Sequence, residues 1–202
     1  VLFRSGPFYD LYEDSQGDIW VIRAGSVSRI NPATGTIAHQ QNNPDNKEIF
    51  NKSFACFVFE NNGNIWGASP DHHLYCFSKS GDLLNSFPAD PSLLFLQINI
   101  DSYSNIWIST LGQGLWCFDR IGGLFTRYVH DPLLSSSVCS NVINGVYEDD
   151  RQNLWVYGEF GLDVVPQKRL QISVLADLNT HPRLPFGKNE IAEARSEEHT
   201  SE

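Results

Sequence analysis

Four acidic residues recur at one position of a repeated pattern, and paired carboxylates are the groups that glycosidases and cation sites use. The four acids are Asp14, Glu60, Asp101 and Asp149. Each acid lies six residues before a tryptophan, and those tryptophans are Trp20, Trp66, Trp107 and Trp155. Because each acid belongs to its own repeat, we expect the four to lie apart, with neither a carboxylate pair nor a metal site. Each is predicted to accept backbone N–H groups in a turn.

The repeated tryptophans could stack on sugar rings if they were exposed. A tryptophan at the same place in every repeat is more typical of a core position, with its indole N–H bonded to the backbone. We therefore predict core positions for all four. Trp116 differs, because Tyr75 takes its place in the preceding repeat, and it is expected to be partly exposed or to lie between repeats.

The most distinctive polar cluster is Asp71-His72-His73. Histidine titrates near neutrality, so a metal-binding or general-acid role is conceivable. Adjacent histidines on a strand point to opposite faces, however, and the sequence shows no catalytic partner. We favour a solvated loop, and we predict no catalytic residue, no metal ligand and no cofactor in this chain.

The spacing of the repeats indicates how these residues are positioned. The tryptophans are 46, 41 and 48 residues apart, and periods of that length are typical of propeller blades or helical arrays. Each repeat contains four short runs of alternating apolar residues bounded by turns, which favours strands over helices. We predict an all-β fold, a β-propeller fragment of about four blades, each with four antiparallel strands.

The predicted blades follow from this register. Their bounds are residues 6–44, 45–92, 93–140 and 141–188, and a further blade begins at 189–194. Polar links, such as residues 42–53, are expected to join one blade to the next. Loops between the second and third strands should share a face with these links, and such loops often carry binding residues. The candidate ligand-binding residues are Arg23, Asp71, His72, His73, Gln113, Glu159 and Phe160.

Composition excludes several classes of protein. The formal net charge of −10 disfavours binding to nucleic acid. The apolar fraction of 41%, without any run of 18 apolar residues, places the chain among globular proteins. The four cysteines contain no close C-x-x-C pair, and their register predicts free thiols in the core. They are Cys56, Cys76, Cys117 and Cys139.

The two ends of the chain differ in character from the repeats. Residues 1–5 and 195–202 resemble in-frame translations of the adapter DNA used in high-throughput sequencing. Both segments are therefore left out of the fold argument. The natural protein is expected to continue in both directions, so that this chain is an internal fragment.

The repeat unit resembles the two-component regulator propeller repeat over roughly residues 7 to 170. The unit is an acid, then Asn-Ile-Trp, a glycine-rich turn such as Leu111-Gly112-Gln113-Gly114-Leu115, and Phe125-Thr126-Arg127-Tyr128. Two departures stand out. Ser104 and Gln152 replace glycine in the acid-led turns, and the second repeat has residues 69–73 where the family usually shows glycines.

This resemblance implies the periplasmic sensor segment of a hybrid sensor histidine kinase, an inner-membrane protein. Such a segment binds oligosaccharides and signals to polysaccharide-utilisation genes. The intact receptor is expected to be a homodimer, and its membrane span and kinase would lie in flanking segments. The alternatives are a stand-alone propeller that acts as a lyase or glycosidase, and an interaction scaffold.

Overall fold

The computed structural model describes residues 8–23, 26–40, 42–43, 45–134 and 136–166. It divides into two compact units, residues 1–100 and 101–202. The strands of the first unit are β1 Phe8–Glu13, β2 Ile19–Arg23, β3 Ser26–Asn31, β4 Thr36–His39, β5 Cys56–Phe59, β6 Ile65–Ser69, β7 His73–Phe77, β8 Leu83–Pro88 and β9 Phe95–Ile100. Those of the second are β10 Ile106–Thr110, β11 Leu115–Asp119, β12 Leu124–Tyr128, β13 Ile143–Glu148, β14 Asn153–Gly158 and β15 Gly161–Pro166.

The strands form sheets in which neighbours along the chain pair in an antiparallel manner. The orders are β1-β2-β3-β4, β5-β6-β7-β8, β12-β11-β10-β9 and β13-β14-β15. These sheets of antiparallel strands confirm the predicted all-β propeller fold. Residues 167–188, the predicted start of a further blade at 189–194 and both adapter-like ends lie outside the described residues. The blade boundaries therefore stay a prediction.

One turn conformation recurs between the first and second strands of every sheet. Its fourth residue has a positive φ, a conformation that glycine adopts without strain. Gly17 and Gly63 occupy this position in the first two sheets, with φ of 78° and 88°. Ser104 and Gln152 occupy it in the other two, with φ of 68° and 62°. The turn thus keeps the same backbone conformation in the two repeats that lack the glycine.

The core of the first unit is built from aromatic side chains. Trp20, Phe50 and Phe57 are all at most 4% exposed. The Trp20 ring stacks on Phe50 at a centroid distance of 6.0 Å. Burial of such large apolar surfaces is the main force that holds the unit together.

The core of the second unit surrounds Trp107. This tryptophan packs with Leu115, Tyr128, Val138 and Ile143, all buried, and its ring lies 5.9 Å from that of Tyr128. Burial raises the pKa of the Tyr128 hydroxyl far above its ordinary value, because the phenolate would lack water around it.

The link over residues 42–53 is more structured than its polar composition suggested. It contains a short 3-10 helix, Glu48–Asn51, in which Ile49 and Phe50 are buried. The prediction of a polar link was therefore incomplete. The adjacent pair Ile49-Phe50 was the signal, because two large apolar residues within a polar segment tend to be drawn into a core.

The four cysteines are free thiols, as predicted. Cys56 and Cys76 are buried, and the half-buried Cys117 packs against the core around Trp107. Cys139 is also only half-buried, so the expectation of a core position is wrong for Cys139. Burial, followed by the nearby Asp163 carboxylate, raises the pKa of the Cys139 thiol to about 12.

Candidate functional site

The repeated aspartate and tryptophan form one hydrogen-bonded unit. In the first sheet, Asp14 Oδ1 accepts the backbone N–H groups of Gln16 at 2.9 Å and Asp18 at 3.0 Å. Asp14 Oδ2 accepts the indole N–H of Trp20 at 2.8 Å. One carboxylate thus closes the turn and also fixes the orientation of a core side chain. We call this arrangement the carboxylate–indole clamp.

The carboxylate–indole clamp recurs in the second unit. Trp107 Nε1 donates to Asp101 Oδ2 at 2.7 Å. Trp155 Nε1 donates to Asp149 Oδ2 at 2.9 Å. The predicted backbone partner of the indole is therefore wrong in these sheets. The acid and the tryptophan are diagonal neighbours across the hairpin and lie on the same face of the sheet. The carboxylate, and not the backbone, is therefore the group within reach of the indole N–H.

Three of the tryptophans are fully packed. Trp20, Trp66 and Trp107 are at most 3% exposed, which agrees with a core position. Trp66 stacks on Phe87 at 5.9 Å. Trp155 is only half-buried by the described residues.

In the clamps of the first and fourth repeats, hydrogen bonds favour the ionised form of the carboxyl group. The pKa of Asp14 is lowered: partial burial raises it, but the Trp20 indole and two backbone N–H groups outweigh that effect. The Trp155 indole and the backbone N–H of Asn153 lower the pKa of Asp149 to about 2. A general acid needs a pKa near the operating pH, so the lowered values of Asp14 and Asp149 fit a structural role.

The first sheet differs from the others at the residue two before the tryptophan, where Asp18 replaces asparagine. Asp18 is 4% exposed and lies beside Asp14, which places two carboxylates together. Arg29 Nε donates to Asp18 Oδ2 at 2.6 Å, and its guanidinium lies 5.5 Å from the centre of the Trp20 ring. The arginine thus neutralises a charge that the asparagine repeats do not carry.

The predicted binding residues of the first unit lie at the end of the sheets away from the clamps. Arg23 ends β2, where its backbone pairs with Phe8 and Ser26. Asp71 is exposed in the loop after β6, whereas His72 and His73 are half-buried.

Contacts around His72 and His73 fix the local shape of that loop. The backbone of His72 has a φ of 63°, and its carbonyl accepts the N–H of Ala89 at 2.8 Å. His72 Nδ1 is a buried atom without a hydrogen-bond partner. His73 is the first residue of β7 and pairs with Pro88.

Asp71 and His73 join a cluster with Lys52 and Tyr75, which we call the Lys52–Tyr75 cluster. Tyr75 Oη donates to Asp71 Oδ2 at 2.7 Å and accepts from Lys52 Nζ at 2.9 Å. Lys52 Nζ lies 4.3 Å from the centre of the Tyr75 ring. The His73 imidazole stacks on the same ring, with centroids 5.6 Å apart and planes tilted by 20°.

Each charged group of the Lys52–Tyr75 cluster is held in its ordinary charge state. The hydrogen bond with Tyr75 raises the pKa of Lys52. Burial, and next the hydrogen bond to Asp71, raise the pKa of Tyr75. Burial opposes the shift of Asp71, but the bond from Tyr75 and the charge of Lys52 lower its pKa. An ammonium, a neutral phenol and a carboxylate therefore coexist at neutral pH.

In the second unit, Gln113 organises the loop after β10. Its backbone carbonyl accepts the Trp116 indole N–H at 3.1 Å and the Arg127 Nε–H at 2.8 Å. Its side-chain oxygen accepts a second bond from Arg127 at 2.6 Å. Trp116 is only 8% exposed, so the expectation of partial exposure is wrong. Its ring is covered by the Arg127 guanidinium at 5.6 Å.

Glu159 and Phe160 lie in the loop between β14 and β15. Both are exposed, and 78% of the Phe160 surface is accessible. The backbone N–H of Glu159 donates to the carbonyl of Val142 at 3.1 Å. Val142 also forms a bridge with Leu111, in the loop that carries Gln113. The two loops of the second unit are thus attached to the same linking residue.

The opposite end of the sheets has a cleft in the first unit. A cavity of about 280 Å³ opens between the acid-led turns, lined by Glu13, Gln16, Asn61 and Lys79, among others. In the second unit the corresponding turns are joined, because Glu148 accepts both the backbone N–H and the hydroxyl of Ser102, at 2.6 and 2.7 Å.

Sequence differences account for this contrast. The residue before the repeated acid is Glu148 in the fourth repeat but Phe59 in the second. Phe59 packs instead against Trp20 at 5.8 Å. A phenyl ring cannot accept a hydrogen bond as the carboxylate does, so the turns of the first unit are not joined in this way.

Neither a metal site nor a membrane-crossing helix is found in the part of the chain that the structure describes. Among those residues, no group of three or more His, Cys, Asp and Glu is arranged to hold a metal ion. None of the described helical residues form a segment with the length and hydropathy that a bilayer requires.

Three residues of these clusters were missed from the sequence, namely Lys52, Tyr75 and Arg127. Lys52 falls in the link over residues 42–53 that is predicted to be polar, and Arg127 falls in the Phe-Thr-Arg-Tyr segment of the repeat unit. A signal existed for Tyr75, since the equivalent position holds Ser28, Trp116 and Asp163 in the other repeats. When the residue type at one position varies among otherwise regular repeats, the fold does not require a particular residue there.

Comparison with protein families supports the resemblance of the repeats. The family described as two component regulator propeller matches residues 3–22. The predicted resemblance is thereby confirmed at the first repeat. A comparison with curated protein sequences gave no match.

Solved structures share the fold at low sequence identity. One is the extracellular domain of a hybrid two component system from B. thetaiotaomicron, with 16% identity and a TM-score of 0.63, covering 78% of this chain and 21% of that one. Virginiamycin B lyase from Staphylococcus aureus has 16% identity and a TM-score of 0.58, covering 83% and 55%. PorZ of Porphyromonas gingivalis, a surface component of the type-IX secretion system, has 16% identity and a TM-score of 0.57, covering 77% and 25%. The chain thus spans about a fifth of the first of these domains.

Proposed function

We propose that this chain is part of the ligand-binding sensor propeller of a hybrid two-component system histidine kinase. In this proposal it senses oligosaccharides in the periplasm, as a segment of an inner-membrane protein, and signals to the transcription of polysaccharide-utilisation genes. The observation that carries the proposal is the two component regulator propeller match at the first repeat. The acid-to-tryptophan pattern of that repeat occurs four times in the chain. The fold shared with an extracellular domain of a hybrid two component system supports it.

The distribution of polar groups supports binding rather than chemistry. In three repeats the repeated carboxylate is engaged by turn N–H groups and an indole. We therefore assign contacts with a ligand to the loops between second and third strands. These loops carry variable side chains and are held by rigid sheets. The candidate contacts are Arg23, Asp71, His72, His73, Gln113, Glu159 and Phe160. Signalling would follow from a ligand-dependent shift in blade packing or in the geometry of a homodimer.

The decisive experiment is to recover the gene beyond both ends of this sequence. We expect a membrane span followed by a histidine-kinase core. A stop codon soon after the last blade, or a hydrolase domain in place of the kinase, would overturn the proposal.

A second experiment tests the proposed face. His72→Ala and Glu159→Ala, combined in one variant, should weaken oligosaccharide binding in calorimetry without lowering the unfolding temperature. Glu13→Gln, at the acid-led end of the first sheet, is the matched control and should bind as the wild type does. Equal binding by all three proteins would remove this face from consideration.

A propeller lyase is the second candidate, because the Lys52–Tyr75 cluster unites His, Tyr and Lys side chains in one repeat. The fold shared with virginiamycin B lyase is compatible with this alternative. The raised pKa values of Tyr75 and Lys52 oppose it, because a catalytic base should titrate near the working pH. Incubation with polysaccharides, followed by a search for unsaturated products, separates the two candidates: their formation, lost in Tyr75→Phe, would favour the lyase.

A further inference from the structure

The loop over residues 69–73 departs from the repeat in a way that places polar side chains at its tip. The equivalent loop of the third repeat contains Gly112 and Gly114, with φ of 89° and 79°. The second repeat has no glycine there, and His72 itself adopts a φ of 63°. A non-glycine residue in this conformation is uncommon, and backbone strain of this kind is often found at functional sites.

The phenol of Tyr75 holds the polar groups of this loop in place. Tyr75 is 5% exposed, and its hydroxyl bonds Asp71 Oδ2 at 2.7 Å and Lys52 Nζ at 2.9 Å. Because the phenol is buried, its two hydrogen bonds hold the Asp71 carboxylate and the Lys52 ammonium in place. Rigid polar groups lose little entropy when a ligand binds.

The outer edges of these groups remain accessible. The side chains of Asp71, His73 and Lys52 are 46%, 38% and 33% exposed. His73 Nδ1 lies 3.0 Å from the carbonyl oxygen of Asp71, which can only accept. Nδ1 therefore carries the proton, and Nε2 of the neutral imidazole is left as an acceptor.

The charges of the cluster select the class of ligand. Lys52 Nζ and Asp71 Oδ2 are 3.9 Å apart, so the positive charge is balanced locally by the carboxylate. A carboxylate, sulfate or phosphate on a ligand would meet Asp71 as well as the net negative charge of the chain. Hydroxyl groups, by contrast, can donate to Asp71 Oδ1 or His73 Nε2 and accept from Lys52 Nζ.

We propose that Lys52, Asp71 and His73 form a subsite for two adjacent hydroxyl groups of a neutral sugar ring. The apolar face of that ring would lie along the His73 imidazole, which is itself supported by Tyr75. This inference rests on the proposed function, because it takes the ligand to be an oligosaccharide. It adds the residues of the subsite and the exclusion of uronic acids.

The test uses Asp71→Asn in the 202-residue chain, because the amide keeps the shape and removes the charged acceptor. Its matched control is Asp82→Asn, which removes another carboxylate of the same unit that is paired with a lysine, Lys47, at 2.9 Å. His73→Gln is the second variant of the subsite. Binding is measured by calorimetry with neutral xylan- and arabinan-derived oligosaccharides and with oligogalacturonides of equal length.

We expect the wild type to bind a neutral oligosaccharide in preference to oligogalacturonides. Asp71→Asn and His73→Gln should each bind it about tenfold or more weakly, which corresponds to about 1.4 kcal/mol, while Asp82→Asn binds as the wild type does. If the wild type binds the sugar and both subsite variants bind it equally well, the subsite is wrong and the sensor proposal stands. Preference for oligogalacturonides would overturn the neutral class. Absence of any binding by the wild type would count against the sensor proposal itself and the subsite with it.

Discussion

Trp107 Nε1 lies 2.7 Å from Asp101 Oδ2, and the two residues are 2% and 5% exposed. Asp101 Oδ1 accepts the backbone N–H groups of Tyr103 and Asn105 at 2.9 and 2.8 Å. A buried carboxylate is costly unless hydrogen bonds satisfy it, and here the turn and the core tryptophan do so together. The same residue therefore determines the turn and the packing of the blade.

Asp101→Asn should lower the free energy of unfolding by about 2 kcal/mol, because an amide cannot satisfy both the turn and the indole as acceptor. Urea unfolding followed by circular dichroism measures the loss. The control is the same substitution in a Trp107→Phe background, where no indole N–H is left unpaired. The cost should be smaller there by about 1 kcal/mol, and equal costs in both backgrounds would show that the indole bond is not energetically coupled to the turn.

The pH dependence of stability should reveal the clamp of the fourth repeat. Asp149 has a pKa of about 2 in the folded chain, against an ordinary value of 3.8. A carboxyl group with a lowered folded pKa stabilises the protein above its unfolded pKa and loses that contribution as the pH falls. The unfolding temperature of the wild type should therefore decline between about pH 4 and pH 2.

The matched variant is Asp149→Asn, which lacks the titrating group. Its unfolding temperature should start lower at pH 5 and decline less over the same interval. Parallel curves for the two proteins would contradict the assignment of this pH dependence to Asp149.

Ser104→Gly should stabilise the chain. Ser104 has a φ of 68°, which costs an L-residue roughly 1–2 kcal/mol, whereas glycine adopts it freely but loses more entropy on folding. We expect a net gain of about 0.5 kcal/mol in urea unfolding. Ser104→Ala retains the strained Cβ and should give no gain. A similar gain from alanine would place the effect in the serine hydroxyl and not in the backbone.

The fold could be predicted because its signals are local and repeated. The acid, the turn glycine and the tryptophan fall within seven residues, as in Asp14 to Trp20. Strand alternation then specifies which face is buried. The hydrogen-bond partner of the indole was missed because a buried N–H was assumed to bond to the backbone. In the hairpin, the diagonal position of the aspartate brings its carboxylate to the indole instead.

The Lys52–Tyr75 cluster could be predicted only in part. Asp71 and His73 stood out because they replace glycines in one loop. Lys52 lies 23 residues before Tyr75, and the contact depends on how the link before β5 packs over β7. The path of this link depends on the burial of Ile49 and Phe50. That apolar pair predicts a buried segment, but it does not predict which strand the Lys52 side chain contacts.

The glycines of the loop after β10 should differ in their tolerance of a side chain. Gly112 has a φ of 89° and open space around it, whereas a Cβ on Gly114 would overlap the carbonyl oxygen of Tyr128. Gly112→Ala should cost about 1 kcal/mol in unfolding free energy, from the backbone alone. Gly114→Ala should cost about 3 kcal/mol, because β11 and β12 would have to separate. Equal losses would mean that the contact with Tyr128 is relieved without cost.

The contribution of Arg29 to the free energy of unfolding should depend on the carboxylate of Asp18. In the third repeat, Asn105 Nδ2 donates to Asp101 Oδ2 at 2.9 Å, whereas Asp18 cannot donate to Asp14 and relies on Arg29 instead. Arg29→Met should therefore lower the free energy of unfolding by about 2 kcal/mol, since it leaves two neighbouring carboxylates without their cation.

In an Asp18→Asn background, the same Arg29→Met change should cost less than about 1 kcal/mol, because the asparagine can bond Asp14 as Asn105 bonds Asp101. Urea unfolding of the four proteins gives the coupling energy directly. A cost that is the same in both backgrounds would assign the role of Arg29 to its packing on the Trp20 ring, which lies 5.5 Å away, and not to its charge.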